Sequence, residues 1–307
     1  MSIVGSGTPT NRTNIQLPNE VAAEIIQKTQ EGSMVMQLAR QIALPGRGLQ
    51  IPIIAGDPEA AWVSETGMKA VSNPTIDKKI MQGHKLAVIV PFSDEFRRDA
   101  AALYDALIAR LPGVLAKKFD STVFFGPPAG TTLANFDNFS AVTGYALDTA
   151  NKTAYDGLVA ADVAISEQGG TVNGFAFSPQ GRGILLAAQD AQKRPLFINS
   201  VAEGAVPRIL GAPTYFGSAA YKAGVAGAGT DPGTPDTVGF AGDWTHAMYG
   251  VVEGVKIDYS ADATLVVGTD TTINLFQQNM FAVRAEIEVG FVAETAYFGA
   301  LTRAYSA

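Results

Sequence analysis

The spacing of hydrophobic residues changes repeatedly along the chain, and each change marks an element. Residues 1–17 are rich in Gly, Thr, Asn and Ser and read as a flexible arm. After Pro18-Asn19-Glu20, the residues Val21, Ile25 and Ile26 form one apolar stripe, which predicts a short helix. Ser33 opens a second short apolar stretch through Val35, Met36 and Leu38. Further on, Leu86-Ala87-Val88-Ile89-Val90-Pro91-Phe92 is a strong strand. Ser93 then caps a helix with Asp94 and Glu95 in its first turn, where the helix dipole favours acids. Phe96, Ala100, Leu103, Leu107, Leu111, Val114 and Leu115 keep helical spacing to about Phe119. Pro112 lies inside that pattern. It removes a backbone hydrogen bond and clashes with the preceding turn, so a kink or break is expected there.

Residues 126–153 are turn-rich, and a helix follows from about Tyr155 to Glu167. Gly174-Phe175-Ala176-Phe177 reads as a buried strand, and Ser178-Pro179 as the start of a helix to about Ala188. A strand is expected at Thr214-Tyr215-Phe216, and residues 223–237 form a loop rich in Gly, Thr, Pro and Asp. Val238 to Ala241 and Gly250 to Tyr259 read as strands. From Val283 onward the chain alternates with Arg284, Glu286 and Glu288. Strands and helices mix without a regular βαβ repeat, so the fold class is α+β.

One stretch has too few apolar residues to make its own core. Gly46-Arg47-Gly48 leads into Leu49-Gln50-Ile51-Pro52-Ile53, whose proline confines it to an edge. A polar segment, Glu65 to Pro74, separates it from a return strand beginning at Thr75. An isolated two-stranded ribbon is marginal in water, so this one needs a surface to lie on, and a neighbouring copy is the natural candidate.

Composition narrows the chemistry. Only 17% of the 307 residues are charged and 32 are glycine, a balance that fits a molecule hiding surface in protein–protein contacts. The net charge is −7 and basic pairs such as Lys78-Lys79, Arg97-Arg98 and Lys117-Lys118 are short, giving little support to sequence-specific nucleic-acid binding. With no cysteine, disulfides, thiolate metal sites and cysteine nucleophiles are excluded. The polar start, Met1 to Thr10, has no apolar signal core, and no apolar run approaches a membrane span; a soluble protein made in the cytoplasm is expected. His84 and His246 stand far apart in no metal-ligand spacing. The Gly224 to Gly229 run leads into Thr230-Asp231-Pro232-Gly233 and reads as a loop, not a phosphate cradle. Asp57 and Glu59 read as solvated charge. No cofactor, metal or catalytic centre is expected, and a soluble enzyme with an unrecognised site stands as the outside alternative.

The order of short motifs resembles the major capsid proteins of tailed bacteriophages with the HK97-like fold. The resemblance runs through Pro18-Asn19-Glu20, Gly48-Leu49-Gln50-Ile51-Pro52, Ala61-Trp62-Val63-Ser64-Glu65, Lys85 to Val90, and Phe92-Ser93-Asp94-Glu95-Phe96 before a helix ending near Asp120. It continues through Arg194-Pro195-Leu196-Phe197, Leu210-Gly211-Ala212-Pro213, Gly242-Asp243-Trp244 and Gln278 to Glu286. The resemblance implies an N-terminal arm over 1–45, an extended E-loop over 46–84, a peripheral domain over 85–143 with the spine helix, an axial domain over 144–251, and peripheral C-terminal strands over 252–307. It implies hexamers and pentamers in an icosahedral head enclosing double-stranded DNA in the virion. A portal, a separate scaffolding protein or none, and the decoration protein that some relatives carry are the partners it brings, with synthesis in the host bacterial cytoplasm. An encapsulin-like nanocompartment is the alternative within the same fold. Trp62, Glu65 and Lys69 are the implied inter-subunit contacts. In some relatives an E-loop lysine forms an isopeptide bond with a neighbour's asparagine, helped by a glutamate; the matching candidates are Lys69, Asn279 and Glu286.

Overall fold

The computed structural model describes residues 32–304 apart from 57, 59, 66, 70, 73–74, 100–106, 149–153, 190–191, 195, 198–207, 228–232 and 268–270. The expected helix after Pro18 lies outside the described residues. The helices are α1 (Met34–Leu38), α2 (Asp94–Asp99), α3 (Leu111–Phe125), α4 (Ala154–Glu167) and α5 (Pro179–Ala187). The first eight strands are β1 (Arg40–Ala43), β2 (Leu49–Gly56), β3 (Thr75–Met81), β4 (His84–Ser93), β5 (Gly144–Ala146), β6 (Gly174–Phe177), β7 (Arg208–Ile209) and β8 (Ala212–Phe216). The rest are β9 (Val225–Ala226), β10 (Gly233–Thr234), β11 (Asp236–Gly242), β12 (Ala247–Ser260), β13 (Thr264–Val267), β14 (Thr271–Asn274), β15 (Met280–Ala293) and β16 (Phe298–Arg303).

Two sheets carry the molecule. The four-stranded sheet has the order β1-β12-β15-β4, and its spine is the long antiparallel pair from Ala247↔Ala293 to Ser260↔Ala282. Val283, Ala285, Ile287 and Val289 turn to the core, whereas Arg284, Glu286 and Glu288 are half-buried on the opposite face, as their alternation requires. The six-stranded sheet has the order β5-β16-β11-β6-β8-β7. Phe298–Arg303, expected with the peripheral strands, therefore lies between β5 and β11 in this second sheet. Two short strands, β9 and β10, pair within the expected loop, and β13–β14 form a hairpin that the sequence pattern does not announce.

Local chemistry explains the helix ends. Ser93 Oγ accepts the Phe96 N–H at 3.2 Å, capping α2. The break expected at Pro112 takes the form of a turn at Ala109–Arg110, after which Pro112 occupies the first turn of a new helix, α3, where its missing N–H costs nothing. In α4 the buried positions Ala154, Gly157, Leu158, Ala161 and Ile165 form one face. A Cβ on Gly157 would stand 2.3 Å from the Ala146 carbonyl oxygen, so only glycine lets this helix approach β5 so closely.

An aromatic cluster joins the two sheets. Phe139 stacks on Phe298 at 4.4 Å and meets Trp244 edge-on at 5.9 Å, and Phe124 stacks on Phe240 at 4.6 Å. Phe119 and Phe291 pack into the same cluster, so α3, β11, β15 and β16 share one core. The Gly242-Asp243-Trp244 motif serves this core. The Asp243 carboxylate accepts bonds from Thr171 N–H (3.1 Å), Asn173 Nδ2 (2.7 Å) and Thr245 Oγ1 (2.6 Å), while Trp244 Nε1 donates to the Gly174 carbonyl at 3.1 Å.

Candidate functional site

β2 and β3 form a ribbon of their own, paired from Leu49↔Met81 to Gly56↔Thr75 and sharing a backbone ladder with no other strand among the described residues. Pro52 sits opposite Lys78 in this ladder, a position open to proline because the outer side has no strand to bond. Beyond the ladder none of the described residues is buried. Trp62 is 106% exposed, Met68 98% and Val71 88%, values that put whole apolar side chains in solvent. Glu65 and Lys69 are exposed on the same tip. Gly67 N–H closes a turn there on the Ser64 carbonyl at 2.9 Å.

The root is built differently. Met81, Leu44 and Val292 are buried together, with Leu49, Ile51 and Val252 packed against them. Gly83 marks the bend from β3 into β4, where a Cβ would meet Val252 at 2.5 Å and Glu288 at 2.9 Å. Lys79 Nζ donates to Asp137 Oδ2 at 2.9 Å and to the Ala293 carbonyl at 2.6 Å. Asp137 Oδ2 also accepts the Ala293 N–H at 3.0 Å. The ribbon is therefore fixed where it leaves the body and bare where it ends.

The segment that enters α1 is pinned to α3. Asp120, buried on α3, accepts a hydrogen bond from Ser33 Oγ and from the backbone N–H groups of Met34 (2.8 Å) and Val35 (3.3 Å). Burial pushes its carboxyl up to about 7, against the pull of these three donors. The sequence carried a signal for this: Asp120 falls on the apolar stripe of Ala116, Phe119 and Val123. Lys79 and Asp137 carried none, being 58 residues apart.

The cross-link candidates do not meet within one subunit. Asn279 is exposed in the turn before β15, with φ +50°, while Glu286 lies seven residues on, about 23 Å along extended chain. The Glu286 carboxylate stands 3.5 Å from Arg284 Nε. Arg284 also binds Asp258, whose carboxyl is held below the usual range by that bond and by nearby Lys256. The histidines have local partners: His84 Nε2 lies 2.7 Å from the Ala134 carbonyl, and His246 stacks on Tyr297 at 3.9 Å. Asp57 and Glu59 lie outside the described residues. No group of three or more metal-ligating side chains occurs among the described residues.

Comparison with known proteins agrees with this architecture. The probable major capsid protein gp17 of Mycobacterium phage D29 is 28% identical over 309 residues, covering 94% of this chain and 91% of that one. The major capsid protein of Staphylococcus phage 80alpha is 24% identical over 299 residues, covering 94% and 85%. A solved structure from Mycobacterium phage Bobi matches the fold with a TM-score of 0.70 at 23% identity, covering 90% of this chain and 91% of that one. The model of the phage capsid family matches residues 14–297, and on that span this chain belongs to the phage capsid family.

Proposed function

We propose that copies of this chain assemble as hexamers and pentamers into an icosahedral phage head that encloses double-stranded DNA. Membership of the family makes the chain a structural subunit of a homo-oligomeric shell, located in the virion, and not an enzyme. The observation that carries the finer reading is the ribbon, whose tip exposes Trp62, Met68 and Val71 while its root is locked to the body. A fixed arm with a bare apolar end stabilises an adjacent copy by burying that end, at about 25 cal/mol per Å² of apolar surface removed from water. Trp62, Glu65 and Lys69 are the contact residues of this reading.

In this assignment residues 1–45 are the arm and 46–84 the E-loop. The four-stranded sheet with α3 is the peripheral domain, built from 85–143 and the strands after 252, joined by β1 of the arm and by Ala247–Val251, the first residues of β12, which leave the axial span to pair there. The six-stranded sheet with α4 and α5 is the axial domain, 144–251, to which we add Phe298–Arg303 because it pairs there. The net charge of −7 suits a container that surrounds DNA without gripping it. In this reading a portal is a partner, a separate scaffolding protein or none guides assembly, a decoration protein is the further candidate, and synthesis takes place in the host bacterial cytoplasm.

Trp62 supplies its own probe, because the chain has just two tryptophans and Trp244 is buried in the monomer. In full-length protein carrying Trp244→Phe, Trp62 emission is expected to shift to shorter wavelength as shells form. An unchanged spectrum on assembly contradicts the reading. Covalent joining is tested separately. The Arg284–Glu286 contact, which engages the one candidate base, favours non-covalent shells, so boiled, denatured particles are expected to run as monomers. A ladder abolished by Lys69→Arg would instead make Lys69 and Asn279 bond partners across subunits.

A further inference from the structure

We propose that Lys79 is a positioning residue for assembly: it fixes the angle at which the ribbon leaves the body, and so the direction in which the tip meets its neighbour. The inference rests on the shell reading above and adds to it a residue that sets shell geometry.

Two kinds of contact hold the root. The Leu44–Met81–Val292 cluster is apolar, and such burial has no preferred direction. The Lys79 contacts have direction. The Nζ group sits between Asp137 Oδ2 and the Ala293 carbonyl, and Asp137 is itself tied to the end of β15, its backbone N–H donating to the Phe291 carbonyl at 3.2 Å and its carboxylate accepting the Ala293 N–H. Here β15 keeps β12 on one side as far as Ala247↔Ala293 but has lost β4 on the other, because β4 pairs with it no further than Val289↔His84. The loop carrying Asp137 replaces that neighbour, and Lys79 reaches across from the diverging ribbon to the same place. The salt link therefore spans the angle between ribbon and sheet, like a stay between a mast and a deck.

Leverage makes the angle matter. The eight residues of β2 carry the ladder roughly 26 Å at about 3.3 Å per residue, so a swing of about 10° at the root displaces its far end by about 4–5 Å. That exceeds the tolerance of a packed apolar contact, which already loses much of its attraction with a gap of about 1 Å. Stability depends little on the same link, since both side chains are about one-third exposed, at 35% and 32%. Lys79 thus controls where the tip goes far more than whether the subunit folds.

The test uses full-length protein assembled with whatever co-expressed partners the wild type needs, with Lys79→Met, which keeps the aliphatic stem, and Lys79→Arg, which keeps the charge and donors. Lys79→Met is expected to melt near the wild-type temperature before assembly, yet to give several-fold fewer closed shells with a broader spread of diameters by electron microscopy. Lys79→Arg is expected to restore yield and size. Wild-type yield and diameter for Lys79→Met, or a loss of shells that only tracks a lowered melting temperature, overturns the proposal and leaves the shell reading intact. Failure of the wild-type chain to form shells under any of these conditions overturns both.

Discussion

Asp120 ties Ser33, Met34 and Val35 to α3, and its titration makes that contact dependent on pH. Its folded value, about 7, lies above the ordinary 3.8, so between those limits the folded chain holds a proton that the unfolded chain releases. The contribution to stability is therefore fully present below about pH 4 and declines as pH rises toward 7, by on the order of 4 kcal/mol if the whole displacement is expressed. Asp120→Asn, which cannot ionise, provides the comparison. Unassembled wild-type subunits are expected to lose melting temperature between pH 5 and pH 8 relative to Asp120→Asn. Parallel curves for the two proteins would contradict the buried-acid account. Asp120 lies on the apolar stripe of Ala116, Phe119 and Val123, a signal the sequence reading did not use, and its partners were not legible at all, since Ser33 lies 87 residues away.

Among the elements, those set by local chemistry were legible. Ser93 and Ser178 cap helices as their types suggest, Pro112 divides the helical pattern, and Arg284, Glu286 and Glu288 mark one face of β15. Elements defined by pairing were not. The sequence before β16 gives no sign that Phe298–Arg303 crosses to the second sheet, because its register is set by β5 and β11, both distant in sequence. The β13–β14 hairpin is only four residues per strand, too short for a reliable alternation. A close approach between elements tests the fold directly. Gly157→Ala places a Cβ against the Ala146 carbonyl and is expected to cost about 1–3 kcal/mol in urea unfolding of the unassembled chain. A variant of wild-type stability would mean that α4 does not sit against β5 as described.

At the scale of the whole molecule, a ribbon with few core-forming residues ends in solvent-exposed Trp62, Met68 and Val71. What the pattern of residues lacked was the root, where Lys79, Asp137 and Ala293 come together from three distant segments. A monomer with this shape is unfinished, because the apolar end of its ribbon has no place on its own body. The most direct measurement is an electron cryomicroscopy reconstruction of assembled particles, read at Trp62. The account predicts the Trp62 ring buried on an adjacent subunit, with the ribbon leaving its own body along the course fixed at Lys79. Particles in which Trp62 faces solvent, or folds back onto its own chain, would contradict it.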